Sequence, residues 1–208
     1  MKDSKYRETQ QYLLPLEKPP LEPGCYDIYP TYELSPDLIF QGVEELARIL
    51  SKHKTVIIDG FEGVFYRALA EDLKREFDRM GLRSSFQFVS NAMKNEETIK
   101  EMVAPYTGGD DPVFGKRADL SLIDFFDREK LSNLKPHLSE GINVIMGPGA
   151  SLSSWEGFLV YADLPRNELQ YRSRAGSVTN LGRSCPDDAK SMYKQFYFVD
   201  WVVLKKYK

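Results

Sequence analysis

The sequence contains few residues of the kinds that form metal and thiol sites. It has two cysteines and two histidines among 208 residues. Cys25 and Cys185 form no metal-type pair and have no local histidine partner, and His53 and His137 fall in no H-x-x-E-H or H-x-x-x-H pattern. No G-x-S-x-G motif occurs. These absences disfavour a zinc site and a serine or cysteine nucleophile, and we expect no cofactor in this chain.

The sequence also lacks an excess of positive charge and a long apolar run. It carries 28 Lys and Arg against 31 Asp and Glu, a net charge of −3, so no global basic field attracts nucleic acid. No apolar segment approaches the roughly 20 residues that span a bilayer. The start, "MKDSKYRETQQYLL", has no charged-then-apolar signal pattern. We therefore expect a cytoplasmic protein with neither nucleic acid nor membrane as a partner.

Hydrophobic residues make up 42% of the chain, enough for one substantial core. Residues 1–35 differ from the rest because they are rich in proline and tyrosine, as in "PLEKPPLEPGCYDIYPTYELSP". This composition predicts an extended arm that lies on a surface. Residues 36–208 form the predicted domain, whose first helix begins at Ser35-Pro36 and continues through Leu38, Ile39 and Val43.

Within the domain, strand-like and helix-like segments alternate. Phe65, Leu69, Leu73 and Phe77 form a helical stripe after the first strand, and Gly81 is the expected stop. The predicted strands are "TVIID", "SSFQFVS", "INVIMG", "FLVYADLP" and "FVDWVVL", and the other predicted helices are "NEETIKEMVAPY", "LIDFFDREKLSNLK", "RNELQYRSRA" and "DAKSMYKQFYF". This order predicts an α/β fold with three layers, in which a mainly parallel sheet carries helices on both faces. Ligands of such sheets bind beyond the carboxyl ends of the strands.

The first candidate site is "TVIIDGFEGVFYRALAEDL", which begins like a phosphate-binding loop. Aligning Gly60 with the first glycine of G-x-x-x-x-G-K-[ST] puts Phe65, Tyr66 and Arg67 at the second glycine, the lysine and the hydroxyl residue. None of the three supplies the required group. Arg67 remains a candidate anion contact near the helix start. The alternative is that Gly60 and Gly63 only form a tight turn between strand and helix.

The second candidate is the strand exit "INVIMGPGASLSSW". Gly147, Gly149 and Ser151 are able to form a nest of backbone N–H groups around an anion. Met146 stands where nucleoside kinases usually have an acidic residue, which argues against magnesium. The alternative is an ordinary turn from a strand into a loop.

The third candidate is "DLPRNELQYRSRAG", which carries Arg166, Arg172 and Arg174. Arginine suits phosphate because its planar fork binds two oxygens. Arg172 and Arg174 point in different directions on a regular helix, so at most one of them faces a given ligand. The alternative is a basic face that is only solvated.

Several of these stretches carry a family resemblance. "TVIIDGFEGVFYRALAEDL", "INVIMGPGAS", "FLVYADLPRNELQYRSRAGSVTNLG" and "SMYKQFYFVDWVVL" together resemble the N-terminal region of a group of large bacterial mannose-6-phosphate isomerases. The resemblance covers roughly residues 36–208. That region is similar to uridine-kinase-like P-loop folds, here with a degenerate P-loop. In that family a later cupin domain, absent from these 208 residues, carries the zinc and the isomerase activity.

The resemblance implies a non-catalytic, kinase-like domain that is associated with a mannose-6-phosphate isomerase and binds a phosphorylated metabolite. Its expected partner is a cupin isomerase domain, fused or separate. One alternative is an active P-loop nucleoside or sugar phosphotransferase, to which Lys116 supplies the missing charge. Another is an assembly module whose "YDIYPTY" and "FYFVDW" segments pack on a partner.

Overall fold

The computed structural model describes residues 6–14, 17–18, 20–35, 37–137 and 139–208. These residues form an α/β fold around a four-stranded, all-parallel sheet with the strand order β2-β3-β1-β4. The strands are β1 (Thr55–Gly60), β2 (Ser84–Phe88), β3 (Ile142–Met146) and β4 (Phe158–Ala162). The helices are α1 (Val43–Leu50), α2 (Tyr66–Arg79), α3 (Glu96–Val103), α4 (Arg128–Asn133), α5 (Arg166–Arg174), α6 (Ala189–Gln195) and α7 (Trp201–Tyr207).

Both faces of the sheet are covered, as the sequence predicts. Val56 and Ile58 of β1 pack with α1 and α2 on one face, whereas Ile57 packs on the other face with the remaining helices. Alternate residues of a strand point to opposite faces, so a strand covered on both sides is apolar throughout. The result is three layers with two hydrophobic clusters.

Helix α2 shows how the sequence builds one of these layers. Leu73 and Phe77 are fully buried on its inner face, and each such side chain stabilises the fold by about 1.5–3 kcal/mol. The helix ends at Arg79, Gly81 follows it with a φ of 72°, and the Leu82 N–H donates to the Phe77 carbonyl oxygen. This is a Schellman-type end, and it confirms the predicted stop.

The chain before α1 departs from the prediction. The helix expected from Ser35-Pro36 begins only at Val43, and Pro36 lies outside the described residues. Gly42 has a φ of 96°, a backbone conformation that no α-helix contains, and Leu38 and Ile39 are exposed. The helix therefore begins seven residues later than the sequence predicts. Before residue 36, the described residues contain no helix or strand.

The predicted final strand "FVDWVVL" is helical. A π-helical turn, Phe196–Asp200, joins α6 to α7, and Val199 and Val203 are buried at helical spacing. A continuous apolar run fits a buried strand and a buried helix equally well, which explains the wrong prediction. Phe196 and Trp201 of this segment are buried, whereas Tyr197 is half exposed.

The predicted helix over 122–135 is interrupted. It consists of a 3₁₀ turn, Leu122–Phe125, and the helix α4, separated by an extended Phe126. Asp127 caps α4 by accepting hydrogen bonds from the N–H groups of Glu129 and Lys130, which fixes a new helix start in mid-segment. The helices predicted over 95–106 and 166–175 are present as α3 and α5.

Among the described residues, no helix combines the length and hydropathy needed to cross a membrane.

Candidate ligand-binding site

A cleft of about 810 Å³ opens at the carboxyl edge of the sheet. Its walls come from the turn after β1, the ends of β2 and β3, and the loop 177–184 after α5. β1 and β3 are neighbours inside the sheet, and the chain leaving β1 runs toward β2 at one edge, whereas the chain leaving β3 runs toward β4 at the other. Crevices at such points are the usual ligand sites of parallel sheets. The volume is in the range of small-molecule pockets.

Glu62, in the turn after β1, is the unusual residue of this cleft. It lines the cleft although only 4% of its surface is exposed, and neither carboxyl oxygen has a hydrogen-bond partner of regular geometry among the described residues. Complete burial raises the pKa of the Glu62 carboxyl well above its usual range, and the neighbouring Asp200 carboxylate raises it further. Both causes favour the protonated form of Glu62.

Asp200, in the π-helical turn, is held from behind by three donors. Its Oδ2 accepts from Asn180 Nδ2 at 2.7 Å and from the Leu181 N–H at 3.3 Å, and its Oδ1 accepts from Gln195 Nε2 at 3.3 Å. Burial raises the pKa of Asp200 to about 7, although these hydrogen bonds oppose the shift. The loop after α5 and the α6–α7 segment thus meet around one buried carboxyl pair.

Positive charge lies beside this acidic pair. Arg67, in the first turn of α2, and Lys94 both line the cleft, and the Arg67 guanidinium carbon lies 4.8 Å from the Phe88 ring centroid. Neither cation pairs with a carboxylate in the part of the chain that the structure describes. Arg183 also lines the cleft, but its Nε donates to Gln195 Oε1 at 3.1 Å, and its Nη1 lies 3.7 Å from an oxygen of Glu96, an acid that also lines the cleft. The cleft therefore offers two cations for a ligand anion.

The predicted nest at the exit of β3 already surrounds a carboxylate of the protein. Asp59, buried at the end of β1, accepts hydrogen bonds from the N–H groups of Gly149 and Ser151, each at 2.8 Å, and from Gly60 at 2.7 Å. The Gly147 N–H donates to the Ile58 carbonyl oxygen. The backbone N–H groups of Gly147, Gly149 and Ser151, which were the predicted phosphate contacts, therefore already have acceptors within the protein.

Gly60 and Gly63 are explained by close packing. A Cβ atom on Gly60 would lie 2.0 Å from the Ala162 carbonyl oxygen, and one on Gly63 would lie 2.4 Å from a Leu169 methyl carbon. Gly63 also has a φ of 82°. The turn between β1 and α2 therefore packs closely against β4 and α5. This agrees with the alternative interpretation, in which Gly60 and Gly63 only form a tight turn.

The arginines of α5 lie outside the cleft lining. Arg172 donates to Glu168 Oε1 at 2.9 Å and to the Gly63 carbonyl oxygen at 2.6 Å, and it covers the Phe65 ring. Arg174 is exposed and contacts Glu8 at 3.3 Å. Of the predicted phosphate contacts, only Arg67 reaches the cleft with a free cationic group. Lys116 is exposed and is not part of the cleft lining.

The start of the described chain closes one side of the cleft. The Tyr6 ring packs 5.3 Å from the Phe65 ring, and the Tyr6 carbonyl oxygen accepts from Ser177 Oγ at 2.7 Å. Arg7 Nε then pairs with Glu168 Oε2 at 2.7 Å. These contacts attach part of the predicted arm to α5 and to the loop that follows it.

Sequence reasoning missed Glu62, Asp200 and Lys94. A usable signal was present for the two acids, because each stands alone in an otherwise apolar stretch, "GFEGVF" and "FYFVDWVVL". A lone acid among apolar residues is rarely buried unless it is paired or functional. Among the described residues, no group of three or more His, Cys, Asp or Glu side chains is arranged to hold a metal ion.

A family model described as a domain of unknown function, DUF8485, matches residues 42–208. The chain belongs to this family. The match of the DUF8485 domain includes Glu62, Arg67, Lys94 and Asp200, whereas Tyr6 lies outside it. Comparison with curated proteins and with solved structures finds no match.

Proposed function

We propose that the DUF8485 domain is a non-catalytic, kinase-like module that binds a phosphorylated small molecule in the cleft and works with a mannose-6-phosphate isomerase domain, fused or separate. The ligand proposal rests on two cations, Arg67 and Lys94, which lie at the carboxyl edge of the sheet and form no ion pair with a carboxylate among the described residues. Arg67 lies in the first turn of α2, where the helix dipole adds to its attraction for an anion.

The kinase-like part of the proposal rests on the position of the turn. The segment after β1 leads from an inner strand of a parallel sheet directly into a helix, which is the location of a P-loop. Two side chains of this segment pack on the protein itself. Phe65 packs between Tyr6 and Arg172, and the Tyr66 hydroxyl donates to the Phe61 carbonyl oxygen at 3.1 Å. A retained framework without lysine or magnesium-binding hydroxyl supports binding without phosphoryl transfer.

Calorimetric titration of the full chain tests the ligand proposal. We expect mannose 6-phosphate or fructose 6-phosphate to bind, with ATP and uridine as competing candidates. A charge-assisted hydrogen bond is worth about 1.5–3 kcal/mol, so Arg67→Ala and Lys94→Ala should each weaken binding by about tenfold or more. Arg75→Ala is the matched control, because Arg75 is an exposed cation of α2 that pairs with Asp72 outside the cleft.

The result decides between the alternatives. An absence of heat with all four compounds would overturn ligand binding. ATP turnover that disappears in Arg67→Ala or in Lys116→Ala would instead establish a phosphotransferase. The isomerase association has its own test, which is co-elution of the chain with a cupin isomerase of the resembling group in size-exclusion chromatography. Separate elution would argue against that partner.

A further inference from the structure

We propose that Glu62, which the buried Asp200 adjoins on its protein side, binds a hydroxyl group, so that the ligand of the cleft is a phosphorylated polyol. This inference rests on the proposed binding of a phosphorylated molecule and specifies its other end. The starting observation is the Glu62 carboxyl group, which is nearly completely buried, lines the cleft and lacks a partner of regular geometry among the described residues. Asp200 is its neighbour on the protein side. Buried polar groups are almost always hydrogen-bonded, so a ligand group is the expected partner of Glu62 on the cleft side.

The hydrogen-bond donors around the two carboxyl groups do not reach Glu62. Asn180, the Leu181 N–H and Gln195 all direct their donors at Asp200, which orients that carboxyl from behind. They thereby hold Asp200 beside Glu62, and none of them contacts Glu62 itself. Asp200 is thus satisfied behind the cleft, whereas Glu62 lines the cleft without a donor from these residues.

The charges of the cleft select the kind of ligand group. Arg67 and Lys94 would repel an ammonium or guanidinium ligand that approached Glu62, whereas the charge of Arg183 is offset by Glu96. A hydroxyl group is neutral, and it both donates and accepts, so it can bond to a carboxyl in either protonation state. Phe65, Phe88, Met93 and Val178 supply apolar walls for a carbon skeleton between the two ends.

The chemistry therefore describes a molecule with a phosphate at one end and hydroxyls at the other. Arg67 and Lys94 bind the phosphate, and Glu62 binds a hydroxyl group. Each half of the site uses different residues, which allows the two halves to be tested separately.

The test compares sorbitol 6-phosphate with n-hexyl phosphate, which share a six-carbon chain and a phosphate but differ in hydroxyl groups. Calorimetry on the full chain should show sorbitol 6-phosphate binding at least tenfold more tightly. Glu62→Met, which keeps the volume and removes the polar atoms, should abolish that preference while leaving hexyl phosphate affinity within about threefold. Glu62→Gln, which retains a donor and an acceptor, should keep most of the preference. Glu71→Met, at an exposed acid of α2, is the control and should change neither affinity.

Equal binding of the two phosphates by the wild-type chain, with dependence on Arg67, would overturn the hydroxyl site and leave the proposed function standing. Failure of both phosphates to bind would overturn the proposed function together with this inference. Glu62-dependent binding of unphosphorylated sorbitol, with no gain from the phosphate, would support the hydroxyl site and overturn the phosphate proposal. Circular dichroism would reveal whether Glu62→Met folds. If it does not, the affinities of the wild-type chain for the two phosphates still test the hydroxyl site.

Discussion

The Asp59 carboxylate at the end of β1 accepts a 2.8 Å hydrogen bond from the backbone N–H of Gly149 in the loop after β3. Its second oxygen accepts from the N–H of Ser151 and from the Tyr207 hydroxyl. One buried side chain thus joins two adjacent strand exits to the last helix. This arrangement shapes the side of the cleft at which Gly147 and Pro148 lie.

Replacing Asp59 with alanine should strongly destabilise the protein. The change leaves three buried or partly buried N–H groups, those of Gly60, Gly149 and Ser151, without their acceptor. Each unsatisfied group costs about 1–3 kcal/mol, and local rearrangement recovers part of that, so we expect the free energy of unfolding to fall by about 3 kcal/mol. Urea denaturation measures it. Glu71→Ala, at an exposed acid of α2, should stay at the wild-type value, and an equally stable Asp59→Ala would contradict the anchoring role.

Stability should decrease as the pH rises, because of Glu62 and Asp200. The pKa values of both carboxyls are raised in the folded state, that of Asp200 from 3.8 to about 7, so the native protein binds more protons than the unfolded chain between these values. The free energy of unfolding then falls with pH across this window. Arg183 contacts Gln195 rather than either carboxyl, and it does not cancel the effect.

From the Asp200 shift alone we expect a loss of about 2–3 kcal/mol between pH 5 and pH 8. Urea titrations at these two pH values measure the loss. Asp200→Asn should remove most of the slope, and Glu62→Gln should remove the part that Glu62 contributes. Glu71→Gln, at an exposed acid of α2, should leave the slope as it is. A wild-type slope that persists in both buried variants would assign the effect to other groups.

Substitutions of Arg172 and Arg174 should have very different effects on the free energy of unfolding, although the two residues lie two positions apart. Arg172 joins α5 to the turn after β1 through Gly63 and covers Phe65, and its side chain is 19% exposed. Arg172→Ala should lower the free energy of unfolding by about 2 kcal/mol, since it removes a charge-assisted bond and leaves the Glu168 carboxylate with fewer donors. Arg174→Ala, at an exposed side chain, should leave the denaturation midpoint unchanged. Similar midpoints for the two variants would refute the bracing role of Arg172.

The sequence predicts the framework of the site better than its chemistry. The four strands, their apolar character and the glycine-rich exits follow from local patterns, so the carboxyl edge was the expected place for a ligand. The pairing of Glu62 with Asp200 depends on the fold, because the two residues meet only when the π-helical turn packs behind the loop after β1. The engagement of Gly149 by Asp59 is likewise a tertiary contact, and no local pattern distinguishes a nest filled by a side chain from one that is open.

The last prediction concerns the attachment of the N-terminal arm at the cleft. Arg7 pairs with Glu168 through partly buried side chains, and the Glu8 N–H donates to the Tyr171 carbonyl oxygen at 3.1 Å. Loss of a partly exposed ion pair costs about 1 kcal/mol, so Arg7→Ala should accelerate hydrogen exchange of the Glu8 amide by about fivefold. NMR amide exchange measures this.

Lys18→Ala provides the matched control, because Lys18 pairs with Asp27 within the arm and contacts neither α5 nor the cleft among the described residues. It should leave exchange at Glu8 unchanged. Tyr6 packs on Phe65 at the wall of the cleft, so a loosened arm should also weaken ligand binding in the calorimetric titration. Faster exchange with unchanged affinity would show that the arm is attached to α5 without forming part of the binding site. Unchanged exchange in Arg7→Ala would show that the ion pair does not hold the arm at all.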